Sequence, residues 1–178
     1  MLSRFSTRFF HAAMFLAILP LPSFGSSAPH LGLSVSREST AKSTFIRLKV
    51  LLRPHNHPLA AIKWDVTYAL ADLDPAIGFY ESGPAAKASG KEVTCHVLAP
   101  GKLRCIVSGV NTNAIAFGQI ATLAFNISEA TRSRSSQLML TDIVGVNAQA
   151  IEVRVSGCRR LKVRLKVENA RISVGSGR

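Results

Sequence analysis

The apolar segments of this chain are short and repeat every second residue, and that restricts what it can fold into more than any other feature. Residues 61–68 read AIKWDVTY, so Ile62, Trp64, Val66 and Tyr68 share one side while Lys63, Asp65 and Thr67 share the other. Successive side chains of an extended segment point to opposite faces, so this stretch is a strand with one face in a core and the other wet or bound to something. Residues 43–52 alternate similarly and stop at Arg53-Pro54-His55-Asn56-His57-Pro58, a proline-bounded turn. Segments 93–98, 103–108, 119–127, 137–141 and 151–156 are further short runs between turn residues. No helix-period stretch of useful length survives between the Gly, Pro and Asn clusters, so the fold class is all-β and the spacing suggests a sandwich.

The stretch 94–105, TCHVLAPGKLRC, holds two of the three cysteines around Pro100-Gly101. With the turn centred near Pro100, opposing positions sum to 200 and Cys95 faces Cys105. Opposed residues of an antiparallel pair lie about 4.5–5.5 Å apart at Cα, a distance a disulfide tolerates. A Cys95–Cys105 disulfide is expected, against the alternative of two buried thiols. Cys158 has no evident partner.

Residues 1–11 carry Arg4 and Arg8 without an acid, 12–19 are apolar, and 20–27 are small residues and prolines. That order is the pattern of a secretory signal peptide, cleaved between positions 25 and 29. The apolar run falls short of the roughly 20 residues that span a bilayer. We read 1–27 as the signal peptide, 28–158 as the β domain and 159–178 as a basic C-terminal strand or tail. The expected product is secreted, extracellular or at the cell surface, with no transmembrane segment after signal removal. Such a compartment favours the disulfide.

Catalytic patterns are missing. The sequence contains no G-x-S-x-G elbow, no H-E-x-x-H and no glycine-rich phosphate loop. His55 and His57 alone make a poor metal site, so no metal or cofactor is expected. Asp72-Leu73-Asp74 lacks the remaining ligands of a calcium loop and reads as a polar turn. The candidate ligand-binding residues are Tyr80, one of two adjacent rings with opposite parity, and Asn111 and Asn113 in a polar turn. Trp64 and Tyr68 share the parity of Ile62 and Val66 and belong to the core.

The formal net charge is +12, falling to +10 once Arg4 and Arg8 leave with the signal. Much of it is in residues 159–167, where basic and apolar residues alternate after Arg159. As a strand this is a ribbon with one cationic face, and Arg160, Lys162, Arg164 and Lys166 are candidate contacts to an anionic surface. Export and the absence of aromatic residues within the basic run argue against nucleic acid.

Several stretches, taken in order, resemble the cohesin-like domains of the superfamily that includes bacterial carbohydrate-binding modules. They are LKVLL (48–52), AIKWDVTY (61–68), GPAA (83–86), SGK (89–91), LRCIV (103–107), NTNAI (111–115) and GQIATLAF (118–125). The resemblance spans about residues 33–157. It implies a nine-stranded β-sandwich with jelly-roll topology and a flat polar face that binds dockerin modules in cellulosomes. It further implies a non-catalytic binding module in protein–protein (dockerin-like) or carbohydrate recognition, tied to polysaccharide breakdown or surface assembly. The rival reading is a secreted hydrolase acting on polysaccharide without a recognisable motif.

Overall fold

The computed structural model describes residues 28–39, 44–129, 131, 134–157 and 160–165. The expected signal peptide, Cys158 and Lys166 lie outside them. The described chain runs β1 (His30–Ser39), β2 (Thr44–Arg53), β3 (Ala61–Tyr68), β4 (Leu73–Ser82), the short helix α1 (Pro84–Ala88), β5 (Glu92–Ala99) and β6 (Lys102–Ser108). It continues with β7 (Gly118–Ile127), β8 (Ser135–Val146), β9 (Glu152–Arg154), β10 (Ser156–Gly157) and β11 (Arg160–Arg164). One sheet has the order β10-β1-β2-β7-β4; the other has β11-β8-β3-β6-β5, with β9 added to β8.

The all-β sandwich expected from the alternation is therefore what forms. Its strand count is higher than nine because the chain changes sheets within the stretch 151–156. Glu152–Arg154 pairs with β8, while Ser156–Gly157 pairs in parallel with β1. Residues 160–164 then return to the second sheet, antiparallel to β8. Here the basic ribbon is a strand of the sandwich, with Val163 and Leu165 buried in the core.

Burial follows the parity read from the sequence. Ile62, Trp64, Val66 and Tyr68 are all buried, facing Leu48, Val50, Leu123 and Phe125 of the opposite sheet within one core. Tyr68 packs its ring on Phe125 with centroids 5.2 Å apart. The β5–β6 hairpin has the expected register, with Cys95 opposite Cys105 and a disulfide between them. Gly101 takes φ +76° after Pro100, a conformation that glycine adopts without strain, and its carbonyl accepts the Tyr68 N–H at 2.9 Å. Gly83 permits another close approach, since a Cβ there would lie 2.2 Å from the Gln119 carbonyl oxygen.

Candidate functional site

The outward face of the six-stranded sheet carries a built charge network. β3 turns Lys63, Asp65 and Thr67 away from the core, and β6 opposes them with Ile106, Arg104 and Lys102 respectively. Asp65 therefore sits directly across from Arg104. The guanidinium grips it twice, Nε to Oδ1 at 2.8 Å and Nη2 to Oδ2 at 3.0 Å, and Lys102 Nζ reaches Oδ2 at 3.0 Å. Though it lies on the solvent side of the sheet, the Asp65 side chain is 0% exposed because these cations cover it. Arg104, then Lys102, hold its carboxyl below the ordinary carboxylate range against the opposing effect of burial.

A second carboxylate reaches the same place through a backbone irregularity. Lys63 pairs with Val144 and Asp65 with Thr141, so Trp64 is opposed by both Asp142 and Ile143. This β-bulge puts Asp142 at φ +51°, a left-handed conformation that aspartate tolerates better than most residues. Its Oδ2 accepts Lys63 Nζ and Arg104 Nη2, both at 2.9 Å. Arg104 bridges the two acids, and three cations with two carboxylates are joined on one face of the sheet. The bidentate arginine geometry fixes orientation as well as charge.

Solved structures share the fold. The sixth cohesin of Acetivibrio cellulolyticus scaffoldin B, solved in complex with a dockerin, superposes with a TM-score of 0.64. It is 16% identical, and the match covers 79% of this chain and 100% of that one. A non-cellulosomal cohesin from Archaeoglobus fulgidus gives 0.62 at 12% identity, covering 80% and 94%. A cohesin module from a Clostridium perfringens family 33 glycoside hydrolase gives 0.60 at 13%, covering 77% and 96%. The chain has the cohesin fold. No family model matches it, and neither does any curated protein.

On this cohesin fold the residues expected to bind ligand are dispersed. Tyr80 lies on β4 of the five-stranded sheet, with its ring edge-on to Phe79 at 5.1 Å. Asn111 and Asn113 lie in the loop between β6 and β7. There the Asn111 amide donates to the carbonyls of Ser89 and Gly90, and its Oδ1 accepts the Asn113 N–H. The almost wholly buried Lys91 donates to the Asn111 carbonyl. These contacts tie the loop to the end of α1. Among the described residues, no three His, Cys, Asp or Glu side chains form a metal-holding group, and no helix is long and apolar enough to cross a membrane.

Arg160, Lys162 and Arg164 project from β11 onto the same outer face as the network, because their partners Met139, Gln137 and Ser135 do so on β8. Sequence reasoning placed Asp65 on the outward side of its strand but did not find its partners. Arg104 has outward parity by the same hairpin rule that aligned the cysteines. Nothing local, however, says that β6 lies beside β3.

Proposed function

We propose that this chain is an exported, non-catalytic recognition module that binds a partner protein of the dockerin kind on the outer face of its six-stranded sheet. The observation that carries this reading is the fully covered Asp65 at the centre of an otherwise solvent-facing surface, joined through Arg104 to an aspartate on a left-handed bulge. Burying a carboxylate stabilises little even when it is paired, and backbone outliers gather where structure serves a function. The network fixes the positions of five charged side chains before any partner arrives, which lowers the entropy lost on binding. The fold is shared with modules solved holding dockerins. A protein partner is favoured over a sugar because the outward residues of β3, β5, β6, β8 and β11 include no Phe, Tyr or Trp ring to stack on a pyranose.

Surface plasmon resonance of the protein against a panel of dockerin modules tests this. At least one should bind at micromolar Kd or tighter, and Arg104→Ala should weaken it by about tenfold, as for an interface residue worth more than about 1 kcal/mol. Silence across the panel together with a positive glycan array would replace the reading by carbohydrate recognition.

A further inference from the structure

The charge on this face is uneven. In the centre, Lys63, Lys102 and Arg104 are matched by Asp65 and Asp142. On the β11 flank, Arg160, Lys162 and Arg164 are all exposed, and the residues opposite them on β8 include no acid. Among the described residues, Lys162 and Arg164 make no ion pair. Lys102, Thr67, Met139 and Arg160 form one transverse row, which places its two cations three strand spacings, roughly 14 Å, apart. The acids Glu92 and Glu152 lie at the other end of the strands, opposite Ser108 and Val146. The face thus has a nearly neutralised centre and a cationic flank on which, among the described residues, Lys162 and Arg164 have no acid beside them, held on a sheet by the buried Val163 and Leu165 beneath.

We propose that the β11 flank selects the partner, and that the partner is a protein whose docking surface is acidic where it meets Lys162 and Arg164. This rests on the recognition reading above and adds the chemistry of what is recognised. Complementary charge across an interface steers encounter and fixes orientation. The rows between flank and centre carry Thr67, Met139 and Thr141, aliphatic and hydroxyl contacts of the kind a protein interface uses.

The test is an NMR titration of the full protein with a peptide of about ten glutamates, with polygalacturonate as the polysaccharide comparator. The peptide should shift amides of β11, β8 and the Lys102 turn, more strongly than polygalacturonate does, with affinity falling as salt shortens the screening length. Lys162→Glu with Arg164→Glu, both exposed, should weaken the peptide at least tenfold while leaving the melting temperature and the Cys95–Cys105 disulfide intact. Shifts scattered over both sheets, tighter binding of polygalacturonate, or an unaffected double variant would each overturn the inference. Failure here is separable from failure of the recognition reading. A dockerin that binds the double variant as fast as the native protein sinks only the acidic-partner proposal. Glutamate-peptide shifts on β11 with no dockerin bound sink only the dockerin one.

Discussion

The two sheets turn comparable faces to solvent, yet only one of them is organised. On the five-stranded sheet, Ser34, Lys49, Thr122 and Glu81 form one transverse row, and Ser36, Arg47 and Ala124 form the next. Among the described residues, the ion pair across β1 and β2 there is Arg47 with Glu38 at 3.0 Å, with side chains 37% and 46% exposed. On the six-stranded sheet, Asp65 is wholly covered, arginine holds it bidentately, and a bulge delivers Asp142 to the same arginine. The same alternation of side chains produces both faces, so alternation alone does not make a binding surface. What separates them is cross-strand placement of opposite charges at adjacent positions, which converts loose solvated groups into a fixed pattern.

The largest expected effect concerns where the organised face ends. If β11 is an integral part of it, removing residues 160–178 strips Val163 and Leu165 from the core, a loss of about 3–6 kcal/mol at about 1.5–3 kcal/mol per buried aliphatic side chain. It also opens the edge of β8. Urea unfolding of the shortened protein should show this as a lower midpoint. An unchanged midpoint would return the basic segment to the status of a tail and shrink the organised sheet to five strands. Trp64→Ala comes next, at about 3–5 kcal/mol for a large aromatic in a packed core. Trp64 and Asp65 are neighbours with opposite tasks, so this variant should lose stability without a specific loss of dockerin binding at temperatures where it remains folded. Among the described residues the Trp64 Nε1–H finds no hydrogen-bond partner, so Trp64→Phe should cost clearly less than Trp64→Ala.

Asp65→Asn examines the centre of the network directly. The amide keeps one acceptor oxygen but loses the negative charge and puts an NH2 donor where Oδ2 accepted from Arg104 and Lys102, a cost of about 1.5–3 kcal/mol for hydrogen bonds to charged groups. The folded carboxyl has its pKa held below the ordinary 3.8. As the pH falls, the unfolded chain takes up this proton first. The stabilisation is therefore complete above the ordinary carboxylate range and is lost as the pH drops through the folded value. Stability measured from pH 6 to pH 2 should decline in the native protein, and the Asn variant should show a shallower slope. Parallel slopes would mean that the carboxylate contributes nothing and that its burial is incidental.

How much of this was legible follows from the range over which each feature is decided. The β5–β6 hairpin was readable from Glu92 to Val97, because Pro100-Gly101 sets the turn and the two cysteines stand at equal offsets from Pro100, but not at the turn itself, where a bulge puts Ala99 and not Leu98 opposite Lys102. β3 was readable from end to end because four core residues alternate without interruption. β4 was not, since Pro75 and Gly78 interrupt its pattern and its pairing with β7 shifts register between Pro75 and Tyr80. α1 is too short for a helical period to show. The charge network was half legible. Asp65 and Arg104 each have outward parity, but their opposition depends on β6 lying beside β3, an arrangement set by packing across the whole domain. The bulge at Asp142 depends on a register difference along one strand pair and leaves no local trace. The alternating ribbon from Arg160 onward showed its two faces plainly, whereas its place beside β8 is decided by long-range pairing.

The smallest expected effect bears on the comparison most directly. Arg47→Ala removes the ion pair to Glu38 and a cation–π contact to Phe45, whose ring centroid lies 5.5 Å from the guanidinium. Both partners of the ion pair are open to water, so salt screens it and holding two long side chains in one geometry offsets much of the Coulomb gain. Exposed pairs of this kind contribute about 0.2–1 kcal/mol, and the cation–π contact at an exposed site adds about as much. Thermal denaturation should therefore place Arg47→Ala within about 2 kcal/mol of the native protein. Arg104→Ala, which leaves a covered carboxylate short of its principal partner, should cost clearly more than Arg47→Ala. The ratio is what matters, because both arginines lie on a sheet face and pair with an acid, and only one of those acids is covered. Equal losses for the two variants would mean that covering Asp65 adds nothing beyond an ordinary surface pair, and the two faces would then differ in appearance but not in energy.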